Sequence, residues 1–89
     1  MFMAHPIINF ASISGKRVFA VHQNLPDRSQ VVLVDKTSGK TMADPVTGAT
    51  GSGNLTIELP LRFPAGAYYL KAQDQAGRRL AQSVDFYVS

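Results

Sequence analysis

Cysteine is absent from these 89 residues. A disulfide scaffold, a thiolate metal site and a cysteine nucleophile are therefore excluded. No apolar run approaches the roughly 20 residues a membrane helix needs, so membrane insertion is not expected. No window sustains an apolar i, i+3, i+4, i+7 pattern over helical length. Charge is sparse, at 17% of residues, and is not concentrated. The nine cations are Lys16, Arg17, Arg28, Lys36, Lys40, Arg62, Lys71, Arg78 and Arg79, and only Lys16-Arg17 and Arg78-Arg79 are adjacent. Nucleic-acid binders gather their charge into a stripe, so a net charge of +3 spread in this way does not predict a nucleic-acid partner. The start, Met1-Phe2-Met3-Ala4-His5-Pro6, has no basic region followed by a long apolar one and does not read as a signal peptide. The expected settings are a particle, the cytosol, or a module of a longer surface protein.

What the sequence has is an apolar content of 45% and regular punctuation. The composition fits one small globular domain over residues 1–89, with 1–5 expected to be flexible. Turn signals recur about every eight to twelve residues: Ser14-Gly15, Asn24-Leu25-Pro26-Asp27, Ser38-Gly39, the stretch 44–54, Pro64-Ala65-Gly66 and Gln75-Ala76-Gly77. Strands are expected between them, over 7–13, 17–23, 30–36, 54–61, 67–74 and 80–88, with a short edge strand over 40–43. Val31-Val32-Leu33-Val34 is apolar on both faces and so should lie centrally, covered on both sides or at a contact. Leu55, Ile57, Leu59 and Leu61 alternate with Thr56, Glu58 and Pro60, and Pro60 marks an edge or a strand end. In the last hairpin Tyr68, Leu70, Ala72, Val84, Phe86 and Val88 should face the core. Tyr69, Lys71, Gln73, Asp85 and Tyr87 should face outward, with Asp74 to Gly77 as the turn. The predicted fold is all-β: a single antiparallel β-sandwich of six or seven strands.

The order of these motifs carries a resemblance. Val31 to Asp35 is followed by Gly53-Asn54-Leu55-Thr56-Ile57-Glu58-Leu59-Pro60. Pro64-Ala65-Gly66-Ala67-Tyr68-Tyr69-Leu70 comes next, then Asp74 and Gly77 three apart, and Phe86-Tyr87-Val88 at the end. Over roughly residues 30–88 this resembles small bacterial and fungal immunoglobulin-like modules, in particular the Ser/Thr-rich cell-wall-anchored family. The family's early-strand tryptophans and Ser/Thr-rich tail are missing here. The resemblance implies an immunoglobulin-like sandwich and a non-catalytic role as spacer, adhesion module or accessory domain, extracellular or on a virus-like particle. Independently of it, Tyr68 lies four residues after Pro64 with Gly66 between them, a spacing compatible with a tyrosine corner.

Few residues point to chemistry. Gly48-Ala49-Thr50-Gly51-Ser52-Gly53-Asn54 has the glycines of a phosphate loop, but no lysine and no following helix, so it reads as a flexible loop. His5 and His22 are the only imidazoles, and with the soft thioethers of Met1 and Met3 they could contribute to a copper-binding β-sandwich, but nothing in the sequence places His22 beside the methionines and the ligands are too few to favour one. No metal, cofactor or catalytic residue is assigned. Asp27, Asp44 and Asp74 are explained by turns, and the chain shows no nucleophile elbow or paired-acid cleft, so it is not expected to be an enzyme. Surface recognition remains. Tyr69, Lys71 and Gln73 alternate on one face, and the pairing of the last strand should bring Tyr87, Arg78 and Arg79 near them. Tyrosine and arginine are enriched in protein-contact hot spots. The expected partner is a protein or a second copy of the chain, and the alternative is a glycan stacked on Tyr69 and Tyr87.

Overall fold

The computed structural model describes residues 5–89. Of the start expected to be flexible, residues 1–4 lie outside this range. His5 lies within it, and its carbonyl accepts a hydrogen bond from Asn24 Nδ2 at 3.2 Å. Six strands follow in order: β1 (Ile7–Ser14), β2 (Arg17–Asp35), β3 (Thr41–Glu58), β4 (Gly66–Gln73), β5 (Arg79–Gln82) and β6 (Phe86–Val88). The described residues contain no helix, and every strand pair is antiparallel.

All six strands belong to one hydrogen-bonded sheet, and β2 is its spine. β3 runs along one edge of β2 from Arg17↔Glu58 to Val34↔Thr41. The other edge of β2 is shared: β1 takes 17–23 and β4 takes 30–35. The far edge of β4 carries β6 at 66–68 and β5 at 71–73. The sheet curls into a half-barrel that brings β1 over β4 and β5. Phe10 of β1 stacks on Phe86 of β6, with ring centroids 4.4 Å apart and planes 6° from parallel. One curled sheet therefore does the work expected of two packed sheets, with inward side chains from opposite walls meeting in a single core. That core contains Ile8, Val18, Ala20, Leu25, Leu33, Ile57, Phe63, Tyr68, Leu70 and Phe86.

Two expected breaks are absent. Asn24 to Asp27 does not end a strand. Between His22↔Gly53 and Ser29↔Ala49, β2 advances seven residues while β3 advances four. The surplus forms a wide bulge, with Asn24 (φ 60°) and Arg28 (φ 64°) in the left-handed region. Leu25 is inserted into the core, and Ser29 Oγ donates to Pro26 O at 2.6 Å. The turn-forming residues do bend the chain here, but β3 continues past them, so the chain bulges instead of reversing. The glycine stretch 48–54, expected to be a flexible loop, is part of that continuing strand. It pairs with β2 through Gln30↔Gly48, Leu25↔Gly51 and His22↔Gly53. The short edge strand over 40–43 and the strand over 54–61 are accordingly two ends of β3, and Asp44 lies in a strand.

Leu61, expected to share a face with Leu55, Ile57 and Leu59, and Val84, expected in the core, are both outside. β3 ends at Glu58, and Phe63 N donates to Pro60 O at 3.0 Å in the turn that follows, which leaves Leu61 89% exposed. Val84 is 69% exposed because the expected strand 80–88 is broken by a bulge. β4 advances two residues from Leu70 to Tyr68 while the facing chain advances three from Ser83 to Phe86. Buried Ser83 fastens this break: its hydroxyl accepts from Leu70 N at 2.9 Å and donates to Val84 O at 2.8 Å.

Candidate interaction surface

Residues on β4 alternate strictly. Tyr68, Leu70 and Ala72 are buried in the core, while Tyr69, Lys71 and Gln73 lie on the outer face and are half-buried. The cross-strand partners of these outer residues on β2 are Val34, Val32 and Gln30. Val32 and Val34 are 1% and 2% exposed, yet neither belongs to the inner core. Their cover is on the outer face: Tyr69 across from Val34, with Lys71 on one side of Val32 and Val46 on the other. The two-sided apolar run thus has a second, smaller apolar layer above the sheet, as the sequence pattern required.

Tyr87 of β6 pairs with Ala67 and is 65% exposed. Ala67 and Tyr69 are two apart on one strand, so Tyr69 and Tyr87 are diagonal neighbours on the same face, about 7–8 Å apart at Cα. Arg79 pairs with Gln73 at the other end of the face, and its Nη1 donates to Gln82 Oε1 at 2.6 Å. Gln73 Nε2 donates to Gln30 Oε1 at 3.4 Å, and Lys71 Nζ to Thr41 Oγ1 at 3.5 Å. Five of the six expected surface residues are therefore on one face. The sixth, Arg78, sits at its end in the β4–β5 turn. Asp74 holds that turn: its Oδ1 accepts from Ala76 N and Arg78 N, both at 2.9 Å, and its Oδ2 from Arg78 Nε at 3.1 Å. These bonds, led by the one from the Arg78 amide, hold the Asp74 carboxyl below its ordinary pKa. Gly77 (φ 84°) completes the turn in a conformation that glycine adopts without penalty.

The tyrosine corner forms as its spacing predicts. Tyr68 Oη donates to Pro64 O at 2.8 Å, and Phe63 packs against the ring with centroids 5.0 Å apart. Burial, and next the nearby Asp35 carboxylate, push the Tyr68 hydroxyl above its ordinary pKa. Gly66 (φ 151°) lets the chain leave Pro64 and enter β4 directly.

The remaining candidates are placed apart. His22 is buried, and its Nδ1 donates to Gly51 O at 2.9 Å. Its ring lies 3.7 Å from where a Cβ on Gly53 would stand, an ordinary contact distance. No group of three or more His, Cys, Asp or Glu comes together among the described residues. A shallow cleft of about 300 Å³ separates the β2 bulge from the β4–β5 turn, lined by Asp27, Arg28, Asp74, Gln75, Ala76 and Arg78. No sequence pattern points to it, because it exists only where the bulge and the turn are folded beside each other. Its two carboxylates and two guanidiniums balance, and Asp74 and Arg78 are already bonded to each other.

Comparison with family models, curated proteins and solved structures returns no match.

Proposed function

We propose that this chain is a non-catalytic, immunoglobulin-like interaction module that works by protein contact within a larger surface or particle assembly. One observation carries the proposal: the outer face of β4 and its neighbours. Tyr69 and Tyr87 stand side by side there, flanked by Lys71, Gln73 and Arg79, over a floor of buried Val32 and Val34. Large amphipathic rings on a rigid sheet, rimmed by long polar side chains, suit a contact that excludes water at its centre. Half-buried side chains also lose less conformational freedom on binding than fully solvated ones. Kinship with immunoglobulin-like modules is part of the proposal, supported by the bond from Tyr68 to Pro64.

The test compares the wild-type chain with the Tyr69→Ala/Tyr87→Ala double variant, by light scattering at two concentrations and on a glycan array. A native mass that rises with concentration in the wild type and falls in the variant supports protein contact through this face. Glycan binding lost in the variant would replace the proposal by a carbohydrate-binding one. A blank array with identical masses for the two proteins would overturn both.

A further inference from the structure

From the free edge of β3 we infer a second association surface, on which two copies of the chain pair antiparallel about a two-fold axis through Thr56. The inference rests on the reading of the chain as an assembling module, but it uses a different surface from the tyrosine face.

β3 has eighteen residues and hydrogen-bonds to β2 alone, so its other edge has no partner among the described residues. Natural edges of this length are blunted by lysine, proline or a bulge. Half of β3 has such devices: Pro45, the register shift opposite Val32 to Val34, and Gly51 (φ 67°) opposite the β2 bulge. The stretch from Gly53 to Glu58 has none, and its pairing with β2 is regular throughout. It contains no lysine or proline, and its only charge is Glu58.

The side of β3 that faces outward follows from one hydrogen bond. Leu59 N donates to Lys16 O at 2.7 Å, so the backbone of Leu59 points towards β2. Alternation then directs the amides and carbonyls of Asn54, Thr56 and Glu58 to the free edge. These three residues are exposed. An antiparallel partner must offer outward groups opposite outward groups. A two-fold axis at Thr56 meets this condition, pairing Thr56 with its own copy and Asn54 with Glu58 of the copy, twice. About six inter-chain hydrogen bonds result. No like charges oppose each other, the Asn54 amide can donate to the opposing carboxylate, and a threonine pair is a favourable cross-strand match. On the inner face the same register sets half-buried Leu55 against buried Ile57 of the copy, so the two cores extend into each other. This self-complementarity identifies the occupant as a second copy of the chain.

The absence of cysteine makes the register directly testable. Cα atoms in a hydrogen-bonded antiparallel pair lie about 5.5 Å apart, within disulfide range. Thr56→Cys should cross-link into a covalent dimer under mild oxidation, whereas Asn54→Cys, four residues out of register with itself, should not. Sedimentation of the wild-type chain from about 10 µM to about 1 mM should show the mass doubling, in the range of weak edge contacts. Thr56→Lys, at an exposed edge position, should abolish the doubling with an unchanged circular-dichroism spectrum. A monomer throughout, or a covalent dimer from the Asn54→Cys variant and none from Thr56→Cys, overturns the pairing. If the association persists in Thr56→Lys but vanishes in Tyr69→Ala/Tyr87→Ala, the edge pairing is overturned and contact through the tyrosine face stands.

Discussion

The two halves of β2 are made of similar residues and are buried differently. From Arg17 to Gln23 inward residues are buried, and the outward ones are exposed or half-buried, including Val21 at 36% exposure. From Val31 to Val34 every residue is buried. Both halves are internal strands with a neighbour on each edge, so position in the sheet does not explain the contrast. The neighbours do. Val21 has Asn9 and Asn54 across from it, both short and polar. Val32 has Lys71 and Val46 across from it and Val34 has Tyr69 and Thr41; of these, Lys71, Val46 and Tyr69 are long or apolar enough to lie over the valines. Outer-face burial on a small sheet is thus set by the reach of adjacent side chains, without a second layer of backbone.

Substitutions along β2 and its neighbours put this contrast to the test. The largest effect belongs to the inner core common to both halves: Leu33→Ala or Leu70→Ala should cost about 2–5 kcal/mol in urea unfolding. Val34→Ala should cost about 1–2 kcal/mol, because a buried methyl pair is lost beneath Tyr69, whereas Val21→Ala should stay within about 0.5 kcal/mol. Equal losses at Val34 and Val21 would mean that the cover over the valines contributes nothing. Tyr68→Phe, which keeps the ring and removes the bond to Pro64, should cost on the order of 1 kcal/mol.

Tyr68 also sets an alkaline limit. A folded-state pKa raised above 10.0 means that the folded chain holds this proton more tightly than the unfolded one. Stability is therefore complete below pH 10 and falls as the pH rises above it. Tyr68→Phe should flatten that alkaline decline in pH-dependent melting curves. The smallest effect is expected at Asp74. Its lowered pKa gives a contribution present at neutral pH and lost as the pH falls below the ordinary carboxylate range. Asp74→Ala should lower the melting temperature slightly at pH 7, and the difference from wild type should vanish in acid.

Most strand segments are legible in the sequence because alternation and turn residues act locally. β1, both halves of β2, β4 and the Asp74–Gly77 turn lie where their residues predict. The tyrosine corner and the outward row of Tyr69, Lys71 and Gln73 are legible for the same reason, each depending on spacing within one short segment. The bulge at Asn24 to Arg28 is not, since turn-forming residues are equally compatible with reversal and with bulging. The choice depends on whether a partner strand continues alongside. The glycine stretch defeats a local reading on the same ground: glycine weakens a strand by itself, and pairing with β2 together with the hydrogen bond from His22 to Gly51 O holds it extended.

Periodicity and backbone preference act within a few residues. They were enough to specify an antiparallel all-β chain, the inward and outward residues of β4, and the Asp74–Gly77 turn. The folded chain as a whole was needed for the rest: four of the seven expected segments join in pairs into the long strands β2 and β3, the last one splits into β5 and β6, Leu61 and Val84 are left outside, and one edge of β3 has no partner among the described residues. Those outcomes depend on which strand lies beside which, and strand neighbours are chosen by long-range pairing that no local pattern encodes.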